Sequence, residues 1–180
     1  MNLPNKITIF RACMIPFFLI FMLVPGIPGG KYIAAVLFVI AAASDAVDGY
    51  IARRDNLVTN FGKFMDPLAD KLLVCSALIC FVECNRVPAW IIIIIIAREF
   101  IISGFRLVAS DSGVVIAASY WGKFKTIFQM IMCVLLIVHL EYSWYLVLEQ
   151  IFIWISLVLT VVSLVDYVWK NRHVLTNGGK

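Results

Sequence analysis

Long apolar runs, broken at intervals by a few polar residues, are the dominant pattern along this chain. Six stretches approach the roughly 20 mainly apolar residues that a helix needs to cross hydrocarbon. They are 7–24, 31–52, 67–84, 88–110, 117–139 and 146–169. Proline and glycine punctuate the breaks, at Pro25-Gly26, Pro28-Gly29-Gly30, Pro67, Pro88, Gly113 and Gly122. The pattern predicts an all-α polytopic membrane protein with six transmembrane helices. Residues 2–11 set positive charge beside apolar positions, which predicts a short N-terminal interfacial segment. The six isoleucines Ile91 to Ile96 predict a lipid-facing stretch. There is no internal repeat and no linker long enough to separate domains, so residues 1–180 read as one domain.

Composition strengthens this picture. Hydrophobic residues make up 63% of the chain and only 14% are charged, against the 45–50% apolar share of ordinary soluble domains. Mean hydropathy is +0.98. Too few charges remain to cover a water-facing surface, so the expected solvent is the bilayer. Lys6 and Arg11 before an apolar stretch imitate a secretory signal, but Val24-Pro25-Gly26 offers no small-residue cleavage site. A retained first helix is expected. Cys13, Cys75, Cys80, Cys84 and Cys133 lie in or beside apolar runs with no paired CxxC, and read as small hydrophobes. His139 and His173 lie far apart and point to no metal site.

Charge then orients the helices. With six spans both termini share a side, and thirteen of the fifteen basic residues fall there. Only Lys31 and Arg86 fall on the other. The positive-inside rule places the termini and the 53–66 loop in the cytoplasm, at the cell membrane. Membrane lipids are expected partners and nucleic acid is not. Charges also occur inside the spans: Asp45 and Asp48, Asp66 and Asp70, and Arg98, Glu99 and Arg106. An ionisable group at membrane depth costs at least about 2.5–3.5 kcal/mol on insertion scales, so it normally faces a polar interior and marks function.

The aspartates are the richest constellation. Asp45 and Asp48 are three apart, and Asp66 and Asp70 four apart, so each pair shares a helix face. The short loop between them folds the two helix ends together and brings four carboxylates to one small volume. Like charges there repel unless divalent cations intervene, and carboxylate oxygens suit Mg²⁺ or Mn²⁺. Metal so held neutralises a phosphate or pyrophosphate, and a carboxylate at the edge can take a proton from an attacking hydroxyl. The plainer reading is helix capping, especially by Asp66 before Pro67, with pairing to Arg53, Arg54, Lys63 and Lys71. Capping leaves Gly49, Ala52 and Gly62 unexplained, small residues that let a bulky ligand approach the backbone.

Residues 45–70 match the pattern Asp-x2-Asp-Gly-x2-Ala-Arg-x8-Gly-x3-Asp-x3-Asp at every fixed position. Chance would produce eight such matches on the order of once in 10⁸ chains of this length, at average residue usage. By this signature the chain resembles the CDP-alcohol phosphotransferase family. The resemblance implies six membrane helices, a homodimer, and attack of an acceptor hydroxyl on a CDP-linked lipid or alcohol with loss of CMP. It implies that Asp45, Asp48 and Asp66 are metal ligands, and that Asp70 is the general base and also touches a second metal. Gly49, Ala52 and Gly62 would make room for the donor, Arg53 would meet its diphosphate, and Asn5 and Thr8 would approach the nucleotide. For Asn5 and Thr8, a helix cap and an ordinary helix threonine explain the residues equally well.

Further matching stretches at Leu3 to Arg11, Asn56 to Lys63, Ala97 to Phe100 and Gly122 to Thr126 resemble the members that join CDP-diacylglycerol to sn-glycerol 3-phosphate. A phosphorylated acceptor also suits the basic residues. Arg98, Ile102 and Arg106 are spaced four apart, which predicts both arginines on one face of the fourth helix, and Lys123 and Lys125 open the fifth. Arginine forks and lysine charges are the usual holders of a phosphomonoester. The competing account pairs Arg98 or Arg106 with Glu99 and anchors the lysines to headgroups. Asp166 and Lys170 read as a simple i,i+4 pair. Two alternatives stand beside this reading: another acceptor such as serine, inositol phosphate or phosphatidylglycerol, and a cation or proton transporter with membrane carboxylates.

Overall fold

The computed structural model describes residues 3–54, 60–111 and 119–172, with side chains described for 9–44, 68–69, 71–109 and 119–172. Six helices follow in order: α1 (Leu3–Leu23), α2 (Gly30–Arg54), α3 (Asn60–Glu83), α4 (Ala89–Asp111), α5 (Tyr120–Val138) and α6 (Ser143–Lys170). Among the described residues there is no strand. The predicted interfacial segment is not a separate element, because α1 is continuous from Leu3 through Pro16. No residue between Leu3 and the apolar stretch breaks the helix, so the helix begins earlier than apolarity alone indicates.

The chain forms two compact units. One comprises Met1–Arg86 with Cys133–Leu140, the other Val87–Met132 with Glu141–Lys180. In the first, α1, α2 and α3 pack on one another. Phe18 and Phe38 meet with ring centroids 6.0 Å apart, and Ala34 and Ala41 of α2 are fully buried. Small residues let membrane helices approach closely, where dispersion rather than water expulsion holds them.

The turns of this unit show why the chain reverses where it does. Gly26 and Gly29 have φ of +88° and +70°, a conformation that a side chain resists. Helix α3 ends with Asn85 at φ 56°. Arg86 N–H donates to Phe81 O at 2.8 Å and Asn85 N–H to Val82 O at 3.0 Å, the paired closure of a left-handed helix cap. Arg86 Nη1 also donates to Leu136 O, and Lys31 Nζ to His139 O at 3.0 Å. These are the two basic residues that stand apart from the charge bias. Both satisfy carbonyls at the end of α5, where a helix is short of donors and its dipole favours a cation.

In the second unit α4 packs on α6. Trp90 meets Trp154 at 6.2 Å, Phe128 meets Phe152 at 5.8 Å, and Phe105 meets Tyr167 edge-on at 6.1 Å. The isoleucine run does not simply face lipid. Ile91, Ile92 and Ile95 are buried, whereas Ile93 is 65% exposed. Six successive residues at about 100° each pass right around a helix, so such a run serves core and surface together.

The outside of both units is apolar. Phe17, Val36, Ile79, Leu107, Val147 and Val158 are all exposed. Helices α5 and α6 are long and apolar enough to cross a membrane, and shorter apolar stretches span Ile9–Leu23 and Gly30–Ser44. Charge interrupts α4, where Arg98 is buried and Glu99 half-buried. An apolar exterior with polar groups turned inward is the surface of a membrane protein. All five cysteines are free thiols.

Candidate active site

Helix α2 carries Asp45, Asp48, Gly49, Ala52 and Arg53 in its last turns, and α3 carries Gly62, Asp66 and Asp70 in its first three. The two helices pack together within the first unit, and α1, which carries Asn5 and Thr8, packs on both. The side chains of these ten residues lie outside the described residues. One feature of the backbone bears on them. Helix α3 begins at Asn60, so Asp66 and Pro67 lie within it and Asp66 is no N-cap. Capping therefore does not account for Asp66. Carboxylates one turn apart on each of two adjoining helices make an all-oxygen donor set, which fits a hard divalent cation.

The second unit supplies a cluster whose side chains are described. Arg98 and Glu99 of α4, Lys125 of α5 and Ser163 of α6 meet in the interior. Arg98 is 8% exposed and Lys125 2%. One carboxylate oxygen of Glu99, Oε1, receives Arg98 Nη1 at 3.3 Å and also Lys125 Nζ. On its other edge Arg98 Nε donates to Ser163 Oγ at 3.0 Å. Ser163 in turn donates its hydroxyl proton to Thr160 O at 3.1 Å. Taking two cations out of water is costly, and Glu99 with Ser163 offsets that cost.

The four basic residues singled out from sequence thus separate. Arg98 and Lys125 come together, while Arg106 and Lys123 are exposed. Arg106 lies 5.9 Å from the Tyr167 ring centroid, and Lys123 lies 5.4 Å from that of Tyr120. Eight residues along a helix turn through about 80° beyond whole turns, so Arg98 and Arg106 do not point alike. The ion pairing of Arg98 with Glu99 is present, but it also includes Lys125.

Ser163, the partner of Arg98, was not singled out from the sequence. Its signal is a stripe on α6, where Glu149, Ile153, Ser156, Thr160, Ser163 and Tyr167 are buried at alternating spacings of four and three. That period marks one helix face, and polar residues on a buried face of a membrane helix need partners inside the protein. Helix α5 begins beside the same cluster. Ser119 caps it, accepting from Gly122 N–H at 3.2 Å. A Cβ on Gly122 would stand 3.4 Å from Arg98 Nη2.

Comparison with known proteins bears on both groups of residues. The sequence model of CDP-alcohol phosphatidyltransferases matches residues 1–162. The chain belongs to the CDP-alcohol phosphatidyltransferase family. It is 46% identical to the CDP-diacylglycerol–glycerol-3-phosphate 3-phosphatidyltransferase of Bacillus subtilis strain 168, over 97% of each chain. It is 40% identical to the protein of that name from Haemophilus influenzae, over 92% of this chain and 91% of the relative. For Escherichia coli K12 the identity is 39%, over 72% and 73%. As a CDP-alcohol phosphatidyltransferase the chain is an enzyme. The family match takes in the whole aspartate pattern, Arg98 and Lys125, and stops one residue before Ser163.

Proposed function

We propose that this enzyme transfers the phosphatidyl group of CDP-diacylglycerol to sn-glycerol 3-phosphate, giving phosphatidylglycerol phosphate and CMP. The observation that carries the acceptor is the burial of Arg98 and Lys125 around one oxygen of Glu99. Two cations at membrane depth are explained by an anionic ligand better than by a neutral alcohol such as serine. The name shared by the relatives at 46% and 40% identity supports the same donor and acceptor.

In this reading Asp45, Asp48 and Asp66 hold the divalent cation, Mg²⁺ or Mn²⁺, with Asp70 touching a second where one is bound. Bound there, it supplies charge neutralisation of the donor diphosphate. Arg53 meets that diphosphate, and Gly49, Ala52 and Gly62 leave room for the cytidine end, with Asn5 and Thr8 beside it. Arg98 and Lys125 hold the acceptor phosphate, with Arg106 and Lys123 drawing it in from the aqueous side. Asp70 takes the proton of the acceptor's primary hydroxyl. The oxygen attacks the phosphorus that carries diacylglycerol, the bond from that phosphorus to CMP breaks, and CMP leaves with the electron pair. Such transfers depend mainly on positioning and charge stabilisation.

All six helices cross the cell membrane, with both termini and the catalytic residues on the cytoplasmic side, and the enzyme works as a homodimer. Residues 1–180 act as a single catalytic domain. CMP release by purified protein with CDP-diacylglycerol and Mg²⁺ tests the reading, each acceptor being supplied alone. Release is expected with glycerol 3-phosphate and not with serine, inositol or inositol phosphate. Chelator should abolish it, and added Mg²⁺ or Mn²⁺ should restore it. Release with serine alone would keep the chemistry and remove the acceptor.

A further inference from the structure

A guanidinium has three nitrogens, and in Arg98 two of them are already committed. Nε donates to Ser163 Oγ at 3.0 Å and Nη1 to Glu99 Oε1 at 3.3 Å. The only proton of the Ser163 hydroxyl goes to Thr160 O at 3.1 Å, so toward Arg98 this oxygen can only accept. Its direction is set by the helix that bears it. Glu99 is set in turn by Lys125 Nζ, which reaches the same oxygen. Held on two edges, the guanidinium plane cannot rotate. Among the described residues nothing bonds Nη2, which lies 3.4 Å from the position of a Cβ on Gly122. At that distance a side-chain carbon at position 122 would rest in ordinary contact with the amino group and occupy the space beside it. The remaining arginine nitrogen therefore borders the space that a side chain at residue 122 would fill.

We infer that Ser163 and Glu99 are positioning residues that aim Arg98 Nη2 into the gap beside Gly122, where it takes an oxygen of the acceptor's phosphate ester, and that Gly122 sets specificity by keeping the gap open. This rests on the reading that the acceptor is a phosphomonoester, and it names residues which that reading does not require. Preorganisation is the physical point. A locked arginine gives up little freedom when the phosphate arrives, whereas a free one must be ordered at that moment.

The test measures CMP release in phospholipid-free maltoside micelles, varying glycerol 3-phosphate and CDP-diacylglycerol separately, with a melting midpoint for each variant. Ser163→Ala removes one bond to a charged group and is expected to raise the acceptor KM about tenfold. The donor KM should stay put. In an Arg98→Lys background the same change should add nothing, because Ser163 acts through Arg98. Gly122→Ala should raise the acceptor KM while the melting midpoint holds or rises, since alanine is the better helix former. A purely structural role would lower melting and move both KM values together. That result overturns the inference, as does an additive effect of Ser163→Ala on Arg98→Lys. An effect that appears only when phospholipid is added assigns the cradle to a lipid headgroup and also overturns it. If the wild-type protein fails with glycerol 3-phosphate but turns over another acceptor, the proposed acceptor has failed. If it succeeds and the variants match it, only the positioning role has failed.

Discussion

Arg98 and Lys125 meet at one oxygen of Glu99, with side-chain exposures of 9%, 2% and 19%. Removing the carboxylate leaves two cations facing each other with water largely excluded. Glu99→Gln should therefore cost about 3 kcal/mol or more in stability, as breaking a buried ion cluster does. A fall in the melting midpoint in detergent, without any change of lipid, checks this. Asp70→Asn keeps size and polarity but cannot take a proton. CMP release should drop at least about 10²-fold, the usual contribution of a general base, with the protein melting as before. A variant that retains near-normal turnover would remove Asp70 from the role.

Among the helices, α6 shows most plainly how one element serves two solvents. Its inner stripe is buried, with Ser156, Thr160 and Ser163 fully so, and its other faces expose Leu146, Val147, Trp154, Val158, Val161 and Val165. A charge on the outer side should be penalised by lipid, not welcomed by water. Val158→Lys near the middle of the helix should lower membrane insertion by about 2.5–3.5 kcal/mol, read as a ratio in a translocon reporter. Val158→Leu should be neutral. If the lysine variant instead inserts normally and the protein becomes more soluble, that face meets water.

For the molecule as a whole, the open prediction is orientation. A fluorescent reporter fused after Asn171 should fluoresce in the cytoplasm. A phosphatase that folds only in an oxidising compartment should be active when fused at Asn85, beyond the cap that ends α3. Inverted results at both positions would reverse the topology and move the aspartates to the wrong face for a cytoplasmic nucleotide donor. Lys31 and Arg86 have local reasons to sit apart from the other basic residues, since both bind carbonyls at the end of α5. They need not weaken the charge argument.

Contiguous pattern is enough to determine the helices, the bilayer as solvent, the family and the aspartate motif. Apolar runs depend on neighbouring residues, and all eight motif positions lie within residues 45–70. Arg98 and Lys125 were legible too, because a charge inside an apolar run is conspicuous wherever it occurs. Tertiary structure decided the rest. The spacing of eight on α4 says that Arg98 and Arg106 differ in direction, but only packing decides that Arg98 is the one buried and Arg106 the one exposed. Ser163 lies 65 residues from Arg98, and a lone serine in an apolar helix looks the same whether it bonds its own backbone or an arginine. Gly122 reads as a break between spans until Arg98 Nη2 is seen beside it. The start of α3 at Asn60 belongs here as well. A proline inside a helix and one at its start share the same local sequence, and the chain's surroundings choose between them.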